Sequence, residues 1–343
     1  MSQSTRREFG AIVVAGFVPS LLQGGATRRF SYVHLDVFTT RSFEGNQLLV
    51  FLQPRGLDEA QMHTLTRESN LSECTFVFPP ELAGTDHRVR IFTRNGETPF
   101  AGHPTIGTAF ALAHAGVIKA GTVRTVFGLG VGPTPIDLDW NGSSLRFAWM
   151  TQLNPTFGKT VTDSAALASA LGLEPAALAG QRAPAQEVNC GSNFFVVPVA
   201  TRKAVDAAAI DRAKVDAVFA AAGIQRRGIY VFSMEGSDPG SGRGSDPGSD
   251  PGSDPVAYSR LLPGGGGIED PATGSAAGPA GCFIAKYGFV PAARVNAIVF
   301  QQGVLVRRPS LIHVNVTMTG GEITRVKVGG PAVVVGEGAV TVP

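Results

Sequence analysis

His103-Pro104-Thr105-Ile106-Gly107-Thr108-Ala109 and Asp270-Pro271-Ala272-Thr273-Gly274-Ser275-Ala276 align without a gap and share the pattern x-P-x-x-G-[ST]-A. Two further segment pairs answer each other in the same order. Gly45-Asn46-Gln47-Leu48-Leu49-Val50-Phe51 has a counterpart in Gly191-Ser192-Asn193-Phe194-Phe195-Val196-Val197, each a turn entering an apolar strand. Thr75-Phe76-Val77-Phe78 answers Ile229-Tyr230-Val231-Phe232. Three matches in one order describe a duplicated domain, with two similar halves facing each other about a pseudo-twofold axis. A length of 343 residues agrees with two domains and two cores. The expected bounds are 30–152 for the N-terminal half and 160–343 for the C-terminal half.

Within the first half, periodicity predicts strands at 35–39 and 48–52, then a helix capped by Asp58 with Gln61 three places on, then strands at 74–78 and 89–92. A second helix starts after His103, turns Ile106, Phe110 and Leu112 to a core, and stops at Gly116. Short strands at 134–138 and 144–149 precede a polar link near 154–159. The fold class expected is α+β, each half a mostly antiparallel sheet wrapped around a central helix.

Proline at the first position of a helix loses no hydrogen bond, so His103-Pro104 and Asp270-Pro271 read as N-cap and first residue of equivalent helices. Two such helices facing across the axis would bring their N-termini, with unpaired amides, to one anion-binding cleft. His103 and Asp270 would stand on opposite sides of it. Gly102, Gly274 and the 264–267 glycine run permit close backbone approach, and Thr108 and Ser275 offer hydroxyls one turn into each helix. Glu73, in Asn70-Leu71-Ser72-Glu73-Cys74, stands at the mouth of an apolar strand, where partial desolvation raises a carboxyl toward the range useful for general acid/base work. The candidate catalytic residues are therefore Glu73, His103 and Asp270, and the candidate substrate-binding residues Gly102, Thr108, Gly274 and Ser275.

Several classes are disfavoured. A net charge of +2 and the lack of a basic cluster interleaved with aromatics argue against nucleic acid and for a small solute. Cys74, Cys190 and Cys282 have no CxxC or zinc spacing and read as packed hydrophobes. The six histidines form neither HxH nor HExxH, so no metal is predicted. The glycines from Gly128 to Gly132 lack the spacing of a dinucleotide-binding loop and read as a turn.

These residues give the sequence a resemblance to the phenazine biosynthesis PhzF-like isomerase and epimerase family, running from about Tyr32 to the C-terminus. Its marks are Asp36-Val37-Phe38, Gly45-Asn46-Gln47, Asn70-Leu71-Ser72-Glu73, Gly102-His103-Pro104-Thr105, Glu269-Asp270-Pro271-Ala272-Thr273-Gly274-Ser275-Ala276, Gln302-Gly303 and Arg308-Pro309-Ser310. The resemblance implies two diaminopimelate-epimerase-like halves, a homodimer, no metal or organic cofactor, and a catalytic glutamate at Glu73. It also implies that His103, Asp270 and Ser275 hold the substrate and assist proton transfer. Related epimerases use one cysteine from each half, and neither repeat block here contains one. The function expected is a cofactor-independent isomerase acting on a small carboxylate. An amino- or hydroxy-acid epimerase and an exported carboxylate-binding protein without turnover are the alternatives.

Two segments stand apart from the fold. Ser4-Thr5-Arg6-Arg7-Glu8-Phe9, the apolar stretch after it and the small residues ending at Ala26 read as an export signal (1–26) of the twin-arginine type, giving a periplasmic or exported protein with no membrane attachment once the signal is removed. The alternative location is cytoplasmic. Gly-Ser-Asp-Pro recurs four times within 236–255, a composition that offers nothing to bury and reads as a flexible surface insert.

Overall fold

The computed structural model describes residues 28–178, 182–235, 256–262 and 269–342. The expected export signal, the Gly-Ser-Asp-Pro insert and the 264–267 glycine run lie outside the described residues. In chain order the first half contains β1 (Arg28–Val37), β2 (Asn46–Phe51), α1 (Glu59–Ser69), β3 (Glu73–Phe78), β4 (His87–Thr93), β5 (Gly96–Thr98), α2 (Gly102–His114), β6 (Arg124–Leu129), β7 (Gly132–Asn141) and β8 (Ser144–Gln152). There follow β9 (Thr156–Val161), α3 (Ser164–Ala170), β10 (Ala185–Asn189), β11 (Asn193–Pro198), α4 (Arg202–Ala207), α5 (Arg212–Ala222), β12 (Ile229–Ser233) and β13 (Val256–Leu262). The chain ends with α6 (Gly274–Lys286), β14 (Ile298–Gln302), β15 (Ser310–Thr319), β16 (Glu322–Gly330) and β17 (Ala332–Val342).

The duplication is visible in the strand pairing. Most pairs are antiparallel, and the parallel ones recur in the same places: β2 with β3 and β4 with β6 in the first half, β11 with β12 and β13 with β14 in the second. Parallel neighbours need a crossover. α1 and α2 supply two of them, and α4–α5 and α6 supply the equivalents.

α2 and α6 are the helices the sheets wrap. α2 is buried from Gly102 through Leu112, and nearly every residue of α6 from Gly274 to Ala285 is buried. A helix enclosed on all sides must be apolar all round rather than on one stripe. Small residues let the strands close in. A Cβ at Gly107 would fall 2.6 Å from Leu48 Cδ2, and one at Gly281 would fall 2.6 Å from Val314 Cγ1. Gly116, at φ +68, follows the Ala115 cap of α2 and stops it as expected. α1 has the expected capping box, with Gln61 N donating to Asp58 Oδ1 at 2.8 Å and Asp58 N to Gln61 Oε1 at 3.2 Å.

The structure departs from the sequence reading in three respects. The two halves share one continuous core around α2 and α6, with smaller clusters beneath α1 and beneath α3 and α5. The polar link at 154–159 contributes most of β9, which pairs with β10 of the second half. The last strand, β17, pairs along its whole length with β1, from Arg28 opposite Val342 to Val37 opposite Ala332. Each half is thus completed by a strand that follows the last strand of the other half. β8 and β16 also pair directly, joining the halves into one sheet system.

A second tie between the halves is ionic. Arg308 Nη2 is 2.5 Å from Asp36 Oδ1, and the same guanidinium donates to the carbonyls of Glu44 at 2.6 Å and Gly45 at 2.7 Å. Phe38, fully buried in a left-handed conformation at φ 66, lies between these contacts. Its amide donates to the Pro331 carbonyl at 2.8 Å and its carbonyl accepts from Leu311 N at 2.9 Å.

Because β17 covers one edge of β1, deleting 332–342 should expose β1 and the aromatic cluster of Phe30, Phe51, Phe76 and Phe92. The expected outcome is a fall in Tm of more than roughly 10 °C or no cooperative melt at all, followed by circular dichroism. An unchanged melt would show that the first half is complete without its exchanged strand.

Candidate active site

Asn46, the first residue of β2 and 2% exposed, is the centre of the candidate site. Its Nδ2 lies 2.6 Å from Asp270 Oδ1, 2.9 Å from the Ala272 carbonyl and 3.0 Å from His103 Nδ1. The carbonyl only accepts, so the nitrogen end of the amide must face this group. Ser72 Oγ donates to the other end, Asn46 Oδ1, at 3.5 Å. One buried amide therefore holds a histidine from the first half and a carboxylate from the second.

Glu73 opens β3 and faces His103, with its Oε2 3.7 Å from His103 Nε2. Both atoms are buried, and neither has a hydrogen-bond partner. Burial lowers the His103 pKa to about 3 against a backbone hydrogen bond at Gln47, so the ring is neutral at pH 7. Burial first, and then the negative charge of Asp270, raises Glu73 to about 8, with the Ser72 hydrogen bond opposing. Burial also raises Asp270, to about 6, against hydrogen bonds from Thr273 and Asn46.

A neutral imidazole carries one hydrogen and one lone pair. The facing Nε2 and Oε2 are complementary in either tautomer, but at 3.7 Å they are not hydrogen-bonded to each other. Buried polar atoms left unpaired in a native fold call for an explanation, and strongly shifted titratable groups gather at functional sites.

Asp270 is fixed from its own half as well. Thr273 Oγ1 donates to its Oδ2 at 2.6 Å, and Gln302 Nε2 donates to its carbonyl at 2.8 Å. Gln302 Oε1 in turn accepts from Thr273 N at 3.1 Å and Tyr230 OH at 3.2 Å. Just upstream, Glu269 is paired with Arg260, whose Nη1 also reaches the carbonyls of Val205, Asp206 and Ala208 at the end of α4.

The N-termini of α2 and α6 meet beside this cluster. A Cβ on Gly102 would lie 2.5 Å from Ser275 N and 2.6 Å from Gly274 Cα, distances no real side chain occupies. The first-turn amides of both helices, which lack intrahelical acceptors, converge on the junction. Gln152, from β8, reaches across and donates to the Gly274 carbonyl at 3.0 Å.

Glu73, His103 and Asp270 are thus brought together, and Gly102, Gly274 and Ser275 lie at the helix junction. Three expectations need correction. Neither His103 nor Asp270 caps its helix: the caps are Ala101 and Thr273, without side-chain capping bonds, and Asp270 lies three residues before Thr273. The touching helix starts make Gly102 the counterpart of Gly274 and His103 that of Ser275, so the gapless seven-residue match is five residues out of structural register. Thr108 is fully buried, with its hydroxyl bonded to the Pro104 carbonyl at 2.7 Å and to Thr75 Oγ1 at 2.9 Å, which pins α2 to β3 and leaves nothing for a ligand. Asn46, Ser72 and Gln302 received no role from their residue types. Their only sequence signal is membership of the family-like motifs. Among the described residues no three His, Cys, Asp or Glu side chains gather as a metal site.

Two sheet-wrapped helices whose N-termini meet beside a shifted carboxyl pair and a neutral histidine define an α+β protein of the two-half, diaminopimelate-epimerase-like type. A hydroxyproline epimerase from Agrobacterium vitis, 13% identical, shares the fold with a TM-score of 0.59 over 92% of this chain and 93% of that one. The chain belongs to the phenazine biosynthesis-like protein family, PhzC-PhzF, whose model matches residues 35–338. It is 31% identical to an uncharacterized isomerase of Mesorhizobium japonicum, over 90% of this chain and 97% of that protein. It is 32% identical to the trans-2,3-dihydro-3-hydroxyanthranilate isomerase of Pseudomonas fluorescens, over 90% and 99%. A solved structure described as a predicted epimerase from Pseudomonas aeruginosa is 29% identical, with a TM-score of 0.73 over 91% of this chain and 99% of that one.

Replacing Gly102 by alanine should push the helix starts apart, because the obstructing atoms are backbone. A displacement of about 1 Å at a site of this kind costs on the order of 100-fold in turnover. The variant is expected to bind or turn over ligands far more weakly while keeping its far-ultraviolet circular dichroism spectrum. Wild-type behaviour would contradict the close approach.

Proposed function

We propose that this protein is an isomerase needing no organic cofactor, in which Glu73 removes a proton from one carbon of a small carboxylate and returns it to another. The observation that carries the reading is the facing pair of unpartnered, buried atoms, Glu73 Oε2 and His103 Nε2, 3.7 Å apart. As carboxylate, Glu73 is the base; once protonated, it is the acid that delivers the same proton. The neutral His103 ring flanks the reacting carbons and restrains the delocalised charge, with Asp270 beside it from the other half. The amides at the starts of α2 and α6 suit the substrate carboxylate, since helix N-termini favour anions. The name of the 32% identical relative supports a cyclic amino carboxylate as the substrate class. His103 and Ser275 occupy equivalent places at the two helix starts and would hold opposite ends of such a molecule.

An epimerase is the second reading, favoured by one observation: Asp270 reaches the cluster from the other half with its pKa raised to about 6, as a second acid/base would require. Turnover in deuterated water separates the readings. An isomerase gives product with its double bond moved, an epimerase gives deuterium at one inverted centre, and a binding protein gives neither.

Glu73→Gln keeps the shape and removes the base, so kcat should fall by roughly 100-fold to 10,000-fold with carboxylate binding held within a few-fold. Retention of more than about a tenth of the activity would exclude Glu73 as the proton carrier.

The pH dependence follows from the same carboxyl. Glu73 must be ionised to accept a proton from carbon, and its pKa is raised to about 8. kcat/KM should therefore climb as pH rises through about 8. Asp270→Asn removes a negative charge that raises Glu73, so the same limb should move to lower pH. A limb that stays in place, or moves upward, would contradict the coupling.

A further inference from the structure

Two side chains that the proton-transfer cluster does not use touch each other in the core behind it. Cys190 Sγ, in the turn that follows β10, lies 3.8 Å from Cys282 Sγ, on the body of α6. Both residues are buried, and they stand 92 positions apart in the chain. Cys74 cannot compete for either, because it sits in the separate aromatic cluster beneath α1, with its thiol against Ser69 Oγ.

We propose that Cys190 and Cys282 are a redox pair that closes to a disulfide. A disulfide has its sulfurs about 2 Å apart, so each sulfur here must move by roughly 1 Å for the bond to form. Cys190 lies in a tight turn in which Gly191, at φ +112, donates its amide to Asn189 Oδ1 at 2.7 Å. In the reaction two S–H bonds are lost and one S–S bond forms. The two electrons and two protons pass to an external disulfide, such as oxidised glutathione, which leaves as two thiols after exchange through a mixed disulfide.

The timing of the exchange follows from burial. Its hydrogen bond to Cys190 and its burial keep the Cys282 thiol protonated well above the usual cysteine range, so attack on an external disulfide is slow once the core has closed. Oxidation therefore belongs to the period before the core closes, or to transient opening of the second half. The bridge would tie α6 to the β10–β11 turn. That turn is placed to matter, because Gly191 lies against the Phe100 ring, next to the Ala101 cap of α2. A cross-link here braces the junction of the two helix starts from behind. The inference does not depend on the isomerase reading.

The test uses the full-length chain, unfolded and refolded with excess oxidised glutathione or with dithiothreitol, then alkylated and examined by intact and peptide mass spectrometry. The expected oxidised product has lost two hydrogens, yields a Cys190–Cys282 cross-linked peptide and keeps Cys74 as its one alkylated thiol. Closing so long a loop should raise its Tm by roughly 5 °C or more over the reduced chain. Cys282→Ala should abolish both the cross-link and the oxidant-dependent rise in Tm. Should refolding yields be poor, folded protein held with the same oxidant a few degrees below its Tm should acquire the same bridge during local opening. Three alkylatable thiols after both treatments, or a bridge that includes Cys74, would overturn the proposal.

Discussion

The architecture depends on one close approach, the contact of the α2 and α6 starts at Gly102 and Gly274. Any side chain at Gly102 would meet the opposing backbone, so glycine is a steric requirement there and not a matter of flexibility. With the helix ends in contact, the two sheets have no room for a separate layer between them. They share strands, pair β8 with β16, and enclose one core. The same contact brings His103 and Asp270 within reach of a single Asn46 amide.

Electrostatics at the cluster follow from this packing. Little solvent reaches the inner atoms, so burial is the largest influence on Glu73, His103 and Asp270 alike, and it pushes all three toward their neutral forms. Full charges are kept nearby where they are paired. Arg308 with Asp36 and Arg260 with Glu269 are each held by further hydrogen bonds to carbonyls. These pairs secure the turn before Asn46 and the segment before Asp270, so the shifted groups are framed by ion pairs. Removing one partner of such a pair is far more damaging than never having made it.

Much of this was legible because local patterns carry it. The Asp58–Gln61 capping box, the Gly116 stop and the apolar positions of α2 all appear where residue types and spacing put them. The duplication was legible too, but its register was not. The shared x-P-x-x-G-[ST]-A pattern compares residues inside α2 with a block of which four residues precede α6 and three open it, since glycine, proline and small residues serve both a helix start and a tight approach to it. Thr108 illustrates a related limit: a hydroxyl one turn into a helix looks available until its neighbour proves to be Thr75. The exchange of β9 and β17 between halves depends on long-range pairing, and neither strand's composition names its partner. Asn46 is similar, an unremarkable amide in sequence whose importance comes from what two distant segments present to it.

The exchanged strand also bears on how the chain is made. A polypeptide emerges from its N-terminal end, and domains ordinarily fold in that order during synthesis. Here β1, the first described strand, takes as its neighbour the last one, β17. The N-terminal half therefore cannot finish folding when its own residues leave the ribosome. It must wait with one edge of β1 unpaired until β17 has been made. Final closure of both halves is then a single late event, and the nascent chain passes through a prolonged stage in which chaperones would find an open strand to protect.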